Sequence, residues 1–227
     1  MEERSEDVLA EARRYLSDLV AFEGTQFTAP EAVVEHKAEE PAVDTLEAFR
    51  QQICECTRCR LGATRQNFVF GSGDPAAGIM FIGEAPGAEE DRAGQPFVGK
   101  AGQLLTKIIE AMGLSRDEVY ICNILKCRPP NNRDPLPDEI EQCEPYLKRQ
   151  IEIIQPRVIC TLGRFAAQTL LRSSEPMGRL RDQDHHYEGI PLVATYHPAA
   201  LLRNSQWKRP TWEDMKRVRK LYDGVEL

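Results

Sequence analysis

A single carboxylate follows a short apolar run in the middle of the chain. Ile79-Met-Phe-Ile82 has four apolar residues, too few for a helix, and leads into Gly83-Glu-Ala-Pro-Gly87. After a polar, glycine-rich loop an apolar helical pattern begins at Ala101, so the segment is predicted to form a buried strand, a long loop and a helix. Open α/β sheets bind ligands beyond the carboxyl ends of their strands. Glu84 is therefore a candidate catalytic group, although such a sequence can also serve only to shape a turn.

The cysteines are a second group with chemical potential. The chain has seven, and in a chain without a secretion signal clustered thiols more often indicate metal than disulfides. Cys122 and Cys160 fall within apolar strand patterns and are predicted to be buried. The others of interest are Cys56, Cys59, Cys127 and Cys143, with Cys54 as an alternative to Cys56. Four thiolates without a nearby histidine suit either a structural zinc ion or an iron–sulfur cluster.

Two further polar residues stand in or beside predicted strands. Asn123 lies in an otherwise apolar strand, where a buried amide needs a hydrogen-bond partner. His197 follows the strand Ile190–Thr195 and precedes Pro198, which favours an extended conformation. A lone histidine at a strand end is usually structural, so neither residue identifies a reaction by itself.

The elements that position these residues alternate between strand and helix. Strands are predicted over residues 69–71, 79–82, 119–125, 158–162 and 190–195, and helices over 101–112, from 137, over 164–171 and over 211–222. A helix is also expected from Asp44, with Glu47 as its capping partner. This alternation favours a largely parallel sheet covered by helices on both faces.

The first part of the chain differs in composition from the rest. Residues 1–50 contain 13 acidic and 5 basic residues, a net charge of −8, which leaves 23 acidic and 24 basic residues and a net charge of +1 for residues 51–227. Residues 5–22 have the spacing of an amphipathic helix, and residues 24–43 have the composition of a flexible linker. We therefore expect an acidic extension over 1–43 and a folded domain over 44–227.

Composition also bears on partners and location. The near-neutral body is not repelled by phosphate, and basic residues cluster between positions 197 and 220, either as a solvated helix face or as a surface for nucleic acid. The chain has no apolar run of 18 residues and no secretory signal, so a cytoplasmic protein without membrane contact is expected.

Four motifs in order resemble those of the type-4, iron–sulfur uracil-DNA glycosylases. They are Gly83-Glu-Ala-Pro-Gly87, Gly94-Gln-Pro-Phe-Val-Gly99, Asn123-Ile-Leu-Lys-Cys-Arg-Pro-Pro130 and Thr195-Tyr-His-Pro-Ala-Ala-Leu-Leu202. The resemblance implies a three-layer α/β/α fold with a central, mostly parallel four-stranded sheet, here with an N-terminal helical extension. It also implies a structural 4Fe-4S cluster on Cys56, Cys59, Cys127 and Cys143, and removal of uracil from DNA by hydrolysis of its N-glycosidic bond, in base excision repair.

The same resemblance implies a role for each residue of a uracil pocket. The pocket would comprise Gly83, Glu84, Ala85, Phe97, Asn123 and His197. Phe97 would stack on the flipped base, and Asn123 would accept a hydrogen bond from uracil N3–H and donate one to O4, a pattern that cytosine reverses. His197 would hydrogen-bond O2, and Glu84 would stabilise the sugar cation or position water. The family-1 enzymes carry aspartate in place of Ala85, which leaves the division of labour between Glu84 and His197 open.

DNA contacts are expected at the rim of that pocket. One of Leu201 and Leu202 should be a core residue and the other an apolar wedge in the DNA, beside Arg203 at the phosphates. Arg128 and Arg133, in the loop 128–136, should face the DNA backbone. The cluster would tie the segment around Cys56 to that loop.

Two other functions fit parts of the sequence. A related subgroup binds uracil-containing DNA without turnover or traps it covalently, with Gly-Glu-Gln-Pro-Gly in the first motif; Ala85 counts against this, whereas His185 and His186 keep it open. A small electron-transfer or zinc-stabilised interaction protein would use the pocket residues only as scaffold. A monomer is expected, with the N-terminal helix as a site for a protein partner.

Overall fold

The computed structural model describes residues 45–224. The predicted helix over 5–22, the linker over 24–43 and Asp44 lie outside the described residues. Within them, six strands form one sheet in the order β1-β3-β2-β4-β6-β5. The strands are β1 (Ser72–Gly73), β2 (Ile79–Gly83), β3 (Tyr120–Asn123), β4 (Val158–Leu162), β5 (His185–Tyr187) and β6 (Ile190–Thr195).

The four central strands are parallel, as the alternation of strands and helices predicts. β2 pairs with β3 and β4, and β4 pairs with β6, whereas the edge strands β1 and β5 are antiparallel to their neighbours. The predicted four-stranded sheet is therefore the centre of a six-stranded one. β1 has two residues and β5 three, too few for a periodic apolar pattern to reveal them.

Helices cover both faces of the sheet. They are α1 (Leu46–Ile53), α2 (Ala88–Ala93), α3 (Lys100–Ala111), α4 (Pro137–Ile154), α5 (Arg164–Leu171), α6 (Met177–Arg181), α7 (Pro198–Arg203) and α8 (Lys208–Tyr222). Met80 and Ile82 pack with residues of α1, α4, α5 and α6, whereas Ile79 and Phe81 pack with residues of α3 and α8. Successive strand residues point to opposite faces of the sheet. Because helices cover both faces, every residue of β2 is buried. The three-layer α/β/α fold is confirmed.

One local prediction is wrong. Residues 69–71 form no strand; the Val69 amide donates to the Lys126 carbonyl at 2.8 Å, and pairing begins only at Ser72. The helix predicted from about Asp44 is present and begins at Leu46, where the Thr45 hydroxyl caps it by accepting from the Ala48 amide at 3.1 Å. The predicted boundaries of the other strands and helices are close to those observed, apart from α8, which begins three residues early at Lys208. No helix within 45–224 is long and apolar enough to cross a membrane.

Candidate active site

A cleft of about 520 Å³ opens at the carboxyl ends of the parallel strands. Its lining includes five of the six predicted pocket residues: Glu84, Ala85, Phe97, Asn123 and His197. The sixth, Gly83, ends β2 beneath them. A Cβ atom on Gly83 would lie 2.3 Å from Asn123 Oδ1 and 2.6 Å from the Phe97 ring, so only glycine lets these two side chains approach the strand.

Asn123 is the last residue of β3 and is 2% exposed. Its Oδ1 atom is buried and accepts no hydrogen bond within the described part of the chain. A buried polar atom without a partner is costly, by about 1–3 kcal/mol, and native proteins rarely keep one without a reason. Because Asn123 lines the cleft, Oδ1 is an acceptor available to a ligand there.

Phe97 is held in an unfavourable backbone conformation beside Asn123. Its φ angle is 52°, which side chains with a Cβ rarely adopt, and its side chain is buried. Glu90 Oε1 fixes the following turn by accepting from the amides of Val98 at 3.0 Å and Gly99 at 3.1 Å. α3 packs so closely that a Cβ on Gly102 would lie 1.8 Å from the Phe97 carbonyl oxygen. Such strain, of about 1–3 kcal/mol, persists at functional sites when the surroundings over-determine it.

His197 immediately precedes α7, and its ring lies 5.6 Å from that of Phe97. Nδ1 accepts from the Ala199 amide at 3.1 Å, so in the neutral ring Nε2 carries the hydrogen. Burial and then the charge of Arg203 lower the pKa of His197 to about 4, against a smaller opposite effect of Glu90. The side chain is therefore a neutral imidazole at pH 7 that can donate from Nε2.

Glu84 follows β2 and is partly buried. Burial first, and then the charge of Asp134, raise its pKa to about 7, whereas Arg164 lowers it. The carboxyl therefore changes protonation state near neutral pH, which suits a group that assists water or stabilises a cation.

The two leucines at the rim differ in exposure. Leu201 is 1% exposed and packs in the core, whereas Leu202 is 52% exposed. The predicted DNA contact of Leu201 thus does not fit its burial, because the side chain turns inward on α7, and Leu202 is the candidate wedge. Arg203 is exposed and lines the cleft.

The two arginines of the loop 128–136 are already hydrogen-bonded. Arg133 also lines the cleft, but its guanidinium makes two bonds, of 2.9 and 2.6 Å, to the buried Glu139. Its predicted role at DNA phosphate therefore competes with a structural ion pair. Within residues 45–224, the one side-chain hydrogen bond of Arg128 is donated by Nε to Asn132 Oδ1, at 2.8 Å.

Three charged residues of the cleft are not among the predicted ones. Glu90 supports the Phe97 turn, and Asp134 and Arg164 act on Glu84. Arg164 begins α5, is exposed and makes no ion pair within the described residues. No sequence motif links these three residues to Glu84. The one signal in the sequence is Arg164, a cation at the start of a helix that follows a strand and a glycine, a position that suits anion binding.

The predicted burial of Cys122 and Cys160 is confirmed, and Cys127 and Cys143 are buried as well. Cys122 and Cys160 are fully buried on opposite faces of the sheet. Burial is the main reason that the pKa of Cys127 is raised, and the nearby thiols of Cys59 and Cys56 raise it further; Cys127 and Cys59 act likewise on Cys143. The Cys54 thiol instead donates to the Gln51 carbonyl of its own helix at 3.5 Å.

Three of the four candidate ligand thiols, those of Cys56, Cys127 and Cys143, accept hydrogen bonds. Tyr146 Oη donates to Cys56 Sγ at 3.1 Å, Arg65 Nη1 to Cys127 Sγ at 3.4 Å, and the Lys126 amide to Cys143 Sγ at 3.3 Å. Within residues 45–224, no three His, Cys, Asp or Glu side chains are arranged to hold a single metal ion.

Comparison with known proteins identifies the family. The family described as the uracil DNA glycosylase superfamily matches residues 70–216. The chain is 45% identical to a protein of Sulfurisphaera tokodaii over 79% of this chain and 86% of the relative, and 43% identical to one of Archaeoglobus fulgidus over 79% and 94%. It is 40% identical to one of Thermotoga maritima over 78% and 94%, and all three are named type-4 uracil-DNA glycosylases. With its cleft built from the motifs of that group, the chain belongs to the type-4 branch of the uracil DNA glycosylase superfamily.

Proposed function

We propose that this protein is a DNA repair enzyme that hydrolyses the N-glycosidic bond of deoxyuridine in DNA, releasing uracil and leaving an abasic site. The observation that carries the proposal is the unpaired, buried Oδ1 of Asn123, which lines the same cleft as Phe97 and His197. The names of the relatives support the same reaction.

The cleft is suited to a flipped uracil. Taking a base out of the stack costs a few kcal/mol, and stacking on the Phe97 ring returns about 1–3 kcal/mol. Asn123 Oδ1 accepts from uracil N3–H and so gains the partner that it lacks. Cytosine has no hydrogen at N3, so its binding would leave Oδ1 unpaired, and a site that hydrogen-bonds its ligand strongly rejects such an analogue.

Bond cleavage draws on the other two side chains. As the bond between C1′ and N1 breaks, its electron pair moves onto uracil, and the His197 Nε2–H donates to the O2 atom that gains negative charge. The sugar becomes an oxocarbenium-like cation, which the Glu84 carboxylate stabilises. The oxygen of a water molecule then adds to C1′, and Glu84 accepts the proton that this water loses.

The four grouped thiols suit a 4Fe-4S cluster bound by Cys56, Cys59, Cys127 and Cys143. Iron–sulfur sites use four Cys thiolates, and hydrogen bonds to the sulfur atoms stabilise them, as the donors from Tyr146, Arg65 and Lys126 would. When bound, the cluster supplies a covalent cross-link between segments and no step of the hydrolysis.

DNA would dock on the rim that carries Leu202, Arg203, Arg164 and Arg128. Leu202 is the apolar wedge that fills the space left by the flipped nucleotide, and the cations meet phosphate. We expect a monomer in the cytoplasm to suffice for this. The non-turnover alternative is not favoured by the comparisons, since the three relatives above carry the type-4 name.

A turnover assay tests the proposal. Purified protein at one-tenth the concentration of uracil-containing DNA should release more uracil than there is enzyme. Asn123→Asp should release it more slowly and accept cytosine better, because a carboxyl group presents a different donor pattern. A denaturant-resistant protein–DNA adduct would support the trapping alternative. Unchanged uracil release by folded Asn123→Asp protein would contradict the role of Asn123.

A further inference from the structure

Lys126 is a fully buried lysine that no step of the proposed reaction uses. It lies three residues after Asn123, and its exposure is 0%. Burying an ammonium group is costly unless it is paired and hydrogen-bonded, yet no carboxylate within the described residues forms an ion pair with it. Nζ donates to the Asn123 carbonyl at 2.7 Å and to Gln150 Oε1 at 2.5 Å. Its charge also lowers the pKa values of the nearby Cys122 and Cys143 thiols, against the larger effect of their burial.

Gln150 links Lys126 to two further residues through hydrogen bonds. It is fully buried in α4, and its Nε2 donates to the Phe70 carbonyl at 3.0 Å and to Tyr120 Oη at 3.1 Å. A hydrogen-bonded network that is satisfied in this way rigidifies its members. The ammonium of Lys126 thus bridges Gln150 of α4 and the carbonyl of the Asn123 peptide.

β3 ends at Asn123, although the next two amides, of Ile124 and Leu125, still donate to the carbonyls of Gly83 and Glu84 at 3.0 Å. The carbonyl oxygen of Asn123 is the last of the strand, and the chain then turns towards Cys127. On the other side of this turn, the Lys126 amide donates to Cys143 Sγ at 3.3 Å and its carbonyl accepts from Val69 at 2.8 Å. Lys126 therefore closes the turn over Asn123 and anchors it to two distant segments.

We propose that Lys126 is a positioning residue for Asn123: its buried ammonium, held by Gln150, fixes the Asn123 carbonyl so that Oδ1 keeps its direction into the cleft. This rests on the proposed role of Asn123 as the uracil reader. A displacement of about 1 Å in a recognition group can cost about 100-fold in rate, which gives a reason to keep a costly buried cation at this position.

A double-mutant cycle separates positioning from general stability. Lys126→Met keeps an unbranched side chain that is one heavy atom shorter and removes its donors, and we expect it to lower kcat/KM for uracil release about 10- to 100-fold. In an Asn123→Ala background, the same change should lower kcat/KM less than about 2-fold, because the group that it positions is gone. Affinity for DNA with an abasic site should stay within about 2-fold, and Lys107→Met, at an exposed lysine of α3, should change neither.

Each other outcome is decisive. Equal losses in both backgrounds, or full activity of Lys126→Met, would overturn the positioning role. If Lys126→Met does not fold by circular dichroism, Gln150→Met, which removes one partner of the ammonium, goes through the same cycle and is judged in the same way. Full activity of Asn123→Ala alone would instead refute Asn123 as the uracil reader, so the two proposals fail separately.

Discussion

Glu84 shows how one environment serves activity at the expense of stability. Its carboxyl group has a pKa of about 7 in the folded protein against an ordinary 4.5. Between these pH values the folded protein binds more protons than the unfolded chain, so the free energy of unfolding falls as the pH rises from about 4.5 to about 7 and stays lower above that. The role proposed for Glu84 needs the ionised form, so uracil release should increase over the upper part of this range.

Glu84→Gln should therefore separate the two properties. At pH 8 we expect it to raise the free energy of unfolding by about 1 kcal/mol, a value discounted for the partial exposure of the side chain, with a smaller difference at pH 4.5. Its rate of uracil release should fall at least about 100-fold and lose the acidic limb near pH 7. Urea unfolding at both pH values and single-turnover rates from pH 5 to 9 measure these effects. Lower stability than the wild type at pH 8 would contradict the argument.

Gly83 gives a steric test of the cleft. Gly83→Ala would place a Cβ atom 2.3 Å from Asn123 Oδ1 and 2.6 Å from the Phe97 ring, so both groups must move, and we expect kcat/KM to fall at least about 10-fold. The matched control is Gly178→Ala in α6, where a Cβ meets nothing within 4 Å and where alanine should stabilise the helix by up to about 1 kcal/mol. Similar kcat/KM values for the two variants would show that uracil does not bind beside Gly83.

At the scale of elements, α5 brings a cation to the cleft from a different part of the chain. Arg164 is its first residue, and the preceding Gly163 has a φ angle of 97°. A Cβ on Gly163 would lie 2.9 Å from His197 Cβ, and its amide donates to the Thr195 carbonyl at 2.8 Å. The end of β4, the start of α5 and the His197 segment therefore form one rigid junction.

Arg164→Gln should affect both DNA binding and the pH profile. Loss of one phosphate contact should weaken DNA binding and lower the slope of log affinity against log salt by about 1. Because the charge of Arg164 lowers the pKa of Glu84, the acidic limb of the rate profile should move to higher pH. The control is Arg179→Gln, at an exposed arginine of α6 paired with Glu175 at 3.2 Å. If the slope of log affinity against log salt equals that of the wild type, Arg164 does not contact DNA phosphate.

The four cysteines that we propose as cluster ligands come from three segments: the residues after α1, the turn after β3, and α4. Cys127→Ala should abolish the visible absorption and iron content expected of a 4Fe-4S protein and lower the Tm, because binding of a structural metal centre contributes to folding. Cys160 is buried in the core on the other face of the sheet. Cys160→Ala should therefore keep both absorption and iron, although the cavity that it leaves lowers stability. The reverse pattern would show that the ligand assignment is wrong.

At the scale of the whole molecule, the charge of the chain is divided. Residues 1–50 carry a net charge of −8 and residues 51–227 a net charge of +1. Within residues 45–224, Arg203 lines the cleft, Lys208 and Arg209 follow it in the chain, and none of the three makes an ion pair. An acidic segment on the same chain can compete with DNA phosphate for such cations, and salt screens that competition.

Deletion of residues 1–43 tests this competition. The truncated protein should bind DNA more tightly than the full chain at low salt, and the difference should shrink as salt rises. Fluorescence anisotropy with one oligonucleotide across a salt series measures both affinities. Identical curves at every salt concentration would contradict competition and favour partner binding by this segment.

The sequence alone predicted the central strands and seven of the residues that line the cleft, because apolar periodicity and short motifs are local properties. The tertiary structure decided that Leu202 and not Leu201 is exposed, that Arg133 pairs with Glu139, and that Lys126 lies beneath Asn123. It also decided the pKa of Glu84, which burial, Asp134 and Arg164 set together. Burial, ion pairing and local electrostatics arise from contacts between segments that are distant in the chain, and no spacing within one segment encodes them.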